Sequence, residues 1–149
     1  KVWEANKAKE RAGKAAPESL LDKVPHHLSA LNRAEGLQIR AGKVGFDWSD
    51  EQGIVDKIDE ELAELKEALA AGDDEHVDEE LGDLLFICSN LARFRKRKTA
   101  EELLRQANLK FEKRFRYIEQ QFKANHLELK AANLELMEKY WQEAKGRKL

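Results

Sequence analysis

With 149 residues, 42% of them hydrophobic, the chain can bury one core but is short for two, so a single domain is expected. Charged side chains make up 38% of it, yet 27 basic residues against 29 acidic ones leave a net charge of -2, which argues against a general nucleic-acid or anionic-membrane binder. The longest uninterrupted apolar run, Leu84-Leu85-Phe86-Ile87-Cys88, is far below the roughly 20 residues that span a bilayer. A soluble, cytoplasmic protein is the expectation, with the lone Cys88 as a buried structural thiol.

Both prolines, Pro17 and Pro25, fall within the first 25 residues, so nothing downstream breaks a helix by ring geometry. Residues 1–25 read as an attached linker, and a start at Lys1 rather than Met suggests a piece of something longer. A first helix is predicted over residues 26–42 from Leu28, Leu31 and Leu37, closed by Gly42 and Gly45. Phe46, Asp47 and Trp48 then form a loop, whose two rings either line a pocket or staple the loop. Ser49 with Gln52 makes a capping box for a second helix, striped by Ile54, Ile58, Leu62, Leu65 and Leu69 and ended by Gly72. The third helix runs from about Asp74 to Arg95 and is expected to be apolar on every side in its middle. Thr99 and Glu102 cap a fourth, on which Leu104, Ala107, Phe111, Phe115, Ile118 and Phe122 step by three and four, with Asn125 as its stop. Asn133 caps a fifth helix carrying Leu134, Met137, Trp141 and Ala144. The fold class is therefore all-α, a bundle of four to five helices.

Chemistry-bearing residues concentrate on the second and third helices. On a helical wheel Glu61 falls about 60° from the centre of the apolar stripe and Glu64 about 120° from it, so Glu61 borders the core, where a carboxylate needs a cation or a donor. Glu80 and Asp83 stand one turn apart, just before the apolar run. Two acidic residues at i, i+3 on each of two neighbouring helices can turn four carboxylates to one point, and hard oxygen ligands select Mg²⁺ or Mn²⁺ over zinc. Spacing alone does not separate this from a solvated acidic face. Glu60 lies nearly opposite the stripe, as a surface residue would. Gly82, inside a helix, points to a close helix approach.

The runs Asp59-Glu60-Glu61-Leu62-Ala63-Glu64-Leu65 and Asp78-Glu79-Glu80-Leu81-Gly82-Asp83-Leu84-Leu85-Phe86 resemble the EExxE and ExxD motifs of the MazG family. The resemblance extends to Val44-Gly45-Phe46-Asp47-Trp48, to Ala107-Asn108-Leu109-Lys110-Phe111-Glu112-Lys113-Arg114-Phe115 and to Met137-Glu138-Lys139-Tyr140-Trp141. It implies an all-α enzyme that hydrolyses nucleoside triphosphates to a monophosphate and pyrophosphate with Mg²⁺, Mn²⁺ being a possible substitute. The implied metal ligands are Glu61, Glu64, Glu80 and Asp83. Substrate contacts carried over by the same resemblance are Lys57, Lys110, Arg114 and Trp141. Charge accounting adds Glu60 or Glu79, spare carboxylates beside the ligands, as the base that takes a proton from metal-bound water, and the expected substrate-binding set also takes in Glu60, Glu61, Glu79 and Asp83. His76, next to the acidic motif, is either a further substrate contact or a solvated histidine at a loop end. The resemblance also implies a homodimer, and a C-terminal catalytic domain over residues 26–149 behind a connector that holds Trp3-Glu4 and Lys9-Glu10-Arg11. Lys110 and Arg114, at i, i+4, can point their charged ends to one side, and Trp141 on an apolar face is either a core residue or a base-stacking one.

Two other classes place carboxylates on helices in a similar way. A di-iron bundle uses Glu-x-x-His pairs, and none of His26, His27, His76 and His126 has a glutamate three residues before it. The remaining alternative is a non-catalytic helical interaction module with a vestigial metal site, which substituted ligands would favour; all four are present.

Overall fold

The computed structural model describes residues 1–6 and 18–149. The connector residues Lys9, Glu10 and Arg11, and Pro17, lie outside that description. Ser19 opens a 3-10 turn, Leu20–Lys23, by accepting from Leu21 N at 3.1 Å while its own N–H donates to Asp22 Oδ2 at 3.1 Å. The end of the expected linker is thus ordered. Val24 is buried at 4% exposure and extended, as a residue before proline prefers. It sits so close to Gly36 that a Cβ there would stand 2.9 Å from Val24 Cγ1.

Helix α1, Ala30–Gly42, starts four residues later than predicted because Ser29, past the proline, supplies the cap: its side chain accepts from Asn32 N at 3.3 Å. Helix α2, Glu51–Ala71, is capped by Asp50, whose carboxylate accepts from Gly53 N at 2.9 Å, rather than by the expected Ser49 box. Gln52 instead donates to Asp56 Oδ1 at 2.8 Å. Gly72 ends α2 in the left-handed region, φ 66°, which glycine enters without a Cβ penalty. Helix α3, Asp74–Arg95, follows at once, capped by Asp73.

Helix α3 packs against both α2 and α1, and Ile54, Leu65, Ala68, Ile87 and Ala92 are buried in this part of the chain. Contrary to expectation, α3 is not apolar-buried all round. Leu85 is 65% exposed and Phe86 46%, because two packing partners cover only part of its circumference. Cys88, expected to be buried, is exposed, although partial desolvation still pushes its thiol above the ordinary value. A Cβ on Gly82 would meet open space, so the expected close helix approach is not its reason.

The chain divides into two compact units, Lys1–Ala100 and Glu101–Leu149. The second holds all but the first residue of α4, Ala100–Ala124, then a 3-10 turn, Ala131–Asn133, and α5, Leu134–Gly146. Tyr117, Ile118 and Phe122 of α4 are buried, as is Ala144 of α5, and the Tyr140 ring meets those of Phe122 and Tyr117 edge-on, at 5.9 and 6.5 Å. Asn133 holds the first position before α5 but does not cap it; its Nδ2 donates to Glu128 O at 2.7 Å. All elements among the described residues are helical, as predicted.

Candidate active site

Glu61 and Glu64 sit one turn apart on α2, and Glu80 sits on α3 where the two helices pack. Each of the three offers a carboxylate oxygen within 4.8 Å of the others. Glu61 and Glu80 are buried at 6% and 5% exposure, which is unusual for glutamates and needs a compensating group. Only one oxygen of each has a protein donor. Lys57 Nζ lies 3.2 Å from Glu61 Oε1, and His76 Nε2 lies 3.0 Å from Glu80 Oε1. Glu61 Oε2 and Glu80 Oε2 are buried and unpartnered unless a proton or a cation comes between them.

The titration of the pair expresses this shortage of positive charge. A shared proton with Glu61, burial and the charge of Glu64 push Glu80 up to about 7, against the pull of His76. Sharing that proton, and the Lys57 ammonium, hold Glu61 below the ordinary carboxylate range despite its burial. Three converging carboxylates with orphaned oxygens and hard donor chemistry fit a divalent cation such as Mg²⁺ or Mn²⁺.

The other expected residues of this unit lie around that cluster. Asp83, three residues beyond Glu80, is exposed and outside the three-carboxylate group, but it shares a cavity wall with Glu61 and Lys57. Glu60 is exposed and ion-paired with Lys57 at 3.4 Å, as its opposite wheel position suggested. Glu79 is exposed, and His76 is about half exposed while bonded to Glu80.

That cavity, about 680 Å³, is lined on one side by Lys57, Glu61 and Asp83 and elsewhere by Leu37, Phe46, Trp48, Phe86 and Ile87. Phe46 and Trp48 therefore line a pocket, and Trp48 also packs on Gly53, where a Cβ would come within 3.2 Å of the indole. Four polar lining residues went unnoticed as site residues in the sequence: Gln38, Asp47, Asn90 and Arg93. Gln38 was discoverable as a polar residue seven after Leu31, on the buried face of α1. Asn90 likewise follows Asp83 by seven on α3, hence on one face.

In the second unit, Arg114 and Trp141 come together: the guanidinium carbon stands 5.2 Å from the indole centroid, and Arg114 Nε donates to Leu149 O at 3.0 Å. Phe111 meets the same indole at 5.6 Å, tilted by 51°. Trp141 is half-buried and Lys110 exposed.

Three carboxylates from two adjacent helices thus converge beside a cavity in an all-α scaffold, a donor set that suits a hard divalent cation. Residues 50–118 match the MazG nucleotide pyrophosphohydrolase domain, so the chain carries a domain of the MazG family. It is 44% identical over 149 residues to a nucleoside triphosphate pyrophosphohydrolase of Escherichia coli strain K12, covering 99% of this chain and 56% of that protein. It is 40% identical over 146 residues to the nucleoside triphosphate pyrophosphohydrolase/pyrophosphatase MazG of Thermotoga maritima, covering 98% and 55%. The chain spans about half the length of these relatives. No described helix is long and apolar enough to cross a membrane.

Proposed function

We propose that the chain hydrolyses nucleoside triphosphates to a nucleoside monophosphate and pyrophosphate with a bound Mg²⁺. The observation that carries this reading is the Glu61–Glu64–Glu80 cluster with its two orphaned oxygens, beside a cavity that also reaches Lys57 and Asp83. Glu61, Glu64 and Glu80 would hold the cation, with Asp83 as the fourth ligand implied by the ExxD motif. When bound, the cation offsets phosphate charge and lowers the pKa of water.

The protein's own residues have distinct tasks in this proposal. The Lys57 ammonium, already within 3.4 Å of two carboxylates, can turn to a phosphate oxygen that brings charge into the cavity. His76 holds Glu80 through a 3.0 Å contact and is a substrate contact in this proposal. Glu60 or Glu79, exposed and outside the ligand cluster, accepts a proton from the attacking water, whose oxygen forms the new P–O bond as the α–β phosphoanhydride breaks and pyrophosphate leaves. Lys110, Arg114 and Trp141 are substrate contacts on the strength of the family motif.

The proposal extends to the organisation of the protein. The catalytic domain lies at the C-terminal end of a longer cytoplasmic chain, takes in the segment 19–24 that reaches α1 and the cavity, and pairs with a second copy. Pairing is supported by the exposed apolar residues Leu81 and Leu85, one turn apart on α3. Sedimentation of the purified protein measures the pairing directly.

Pyrophosphate release from a panel of ribo- and deoxyribonucleoside triphosphates, with Mg²⁺ and with chelator, tests the activity. Metal-dependent release from at least one nucleotide is expected. Binding of Mg²⁺ and nucleotide without turnover would leave a non-catalytic module instead.

A further inference from the structure

The cavity beside the carboxylates carries two carboxamides whose orientations the fold fixes. Asn90 Oδ1 accepts from Arg93 Nε at 2.8 Å, and Arg93 is itself clamped by Asp47 through contacts of 3.0 and 2.5 Å. Rotating the amide would press its NH₂ against a guanidinium, so Asn90 must present Nδ2 as a donor, and no group among the described residues accepts from that nitrogen. Gln38 is oriented the opposite way. Its Nε2 donates to Phe86 O at 3.0 Å, which leaves Oε1 as a buried acceptor without a partner.

Trp48, Phe46 and Phe86 supply flat apolar wall in the same cavity, and Lys57, Glu61 and Asp83 supply its charged part. An occupant that suits all three has a planar ring with hydrogen-bonding edges and a polyanionic tail. The volume falls within the range of about 300–1,000 Å³ usual for small-ligand sites. We infer that this cavity is the nucleobase pocket and that Asn90 Nδ2 reads an acceptor on the base edge, with Arg93 and Asp47 as positioning residues that fix the amide. The inference rests on the nucleotide reading above and deepens it. It gives the pocket a donor of fixed orientation at Asn90, so that recognition is by the base as well as by the phosphates.

Binding rather than turnover is the readout, using nucleotides with a methylene between the α and β phosphorus atoms and Mg²⁺ in calorimetry. Asn90→Ala is expected to weaken the best-bound nucleotide about tenfold, the effect of one lost hydrogen bond, while inorganic tripolyphosphate, which has no base, changes less than twofold. In the unaltered protein, the analogue of that nucleotide in which a base acceptor is replaced by C–H should lose affinity by a similar factor, an arm that needs no variant to fold. Arg93→Met should shrink the preference for the parent nucleotide over this analogue, because a released amide can present either end; a purely structural Arg93 would weaken both alike. Equal losses for nucleotide and tripolyphosphate in Asn90→Ala, full binding of every acceptor-deleted analogue, or no binding of any nucleotide would overturn the inference. Absence of hydrolysis with nucleotide binding and discrimination intact would overturn the hydrolase reading alone.

Discussion

Asp47 and Arg93, 46 positions apart, form a two-point ion pair that joins the loop after α1 to the last turn of α3. The guanidinium beside Asp47 holds its carboxyl below the ordinary range against partial desolvation, helped by Trp48 N–H and by the charge of Lys96. A depressed carboxyl contributes stability above its unfolded pKa, near 3.8, and loses it as pH falls through the lower folded value. Asp47→Asn should therefore cost about 1 to 2 kcal/mol at neutral pH, allowing for solvent screening of an exposed residue, and the cost should vanish in strong acid. Melting curves from pH 7 down to 2 check this; a penalty independent of pH would remove the ion pair as its cause.

Glu80 has the opposite sign. Its folded pKa is raised to about 7 from 4.5, so the folded state keeps a proton that the unfolded state has lost between those values. With chelator present, this group's contribution to stability should decline as pH rises from 4.5 through 7, and Mg²⁺ should restore it. Glu80→Gln should raise the metal-free melting temperature at pH 8 and abolish the Mg²⁺-induced rise. Should that variant melt lower than the parent without metal, repulsion among the three carboxylates is not what the site stores.

Loss of a proposed ligand should show in activity before it shows in structure. Glu61→Gln, Glu64→Gln, Glu80→Gln and Asp83→Asn are each expected to cut pyrophosphate release at least a hundredfold with helical circular dichroism retained. Asp83 is the informative member, because it stands outside the three-carboxylate group. Normal turnover in three of the four would dismiss the centre.

Lys110→Ala and Arg114→Ala are expected to weaken triphosphate binding more than monophosphate binding, since their proposed partners are the β and γ groups. Calorimetry with both ligands gives the comparison, and equal losses would return these side chains to surface duty.

Trp141 has Arg114 over its ring and Phe111 beside it. If it also stacks on a base, Trp141→Phe keeps much of the nucleotide affinity and Trp141→Ala loses about 1 to 3 kcal/mol, with tripolyphosphate inhibition unchanged. Parallel losses for both ligands together with a large fall in melting temperature would make it a packing residue.

Local patterns were readable wherever one helix's periodicity decides the outcome. Glu61 borders the stripe of α2 and is buried, Glu60 lies opposite and is exposed, and Gly72 ends the helix as a left-handed glycine should. What failed depended on neighbours that periodicity does not describe. The exposure of Leu85 and Phe86 follows from which sides of α3 are covered, and the true cap of α2 was decided between two adjacent residues, Ser49 and Asp50, of equal capping ability. The clamp on Asn90 escaped notice because Asp47 and Arg93 are distant in sequence and each resembles ordinary surface charge.

The seating of Val24 on Gly36 bears on how the protein can be trimmed. Leu21, in the 3-10 turn that Val24 follows, lines the cavity shared by Trp48 and Asn90. Cutting the gene at residue 26, where the catalytic domain was expected to begin, would strip a side chain from that cavity and bare the groove over Gly36 to water. Expression boundaries placed ahead of Ser19 keep both, and a bulkier residue at position 36 would mimic the cut by unseating the turn from within.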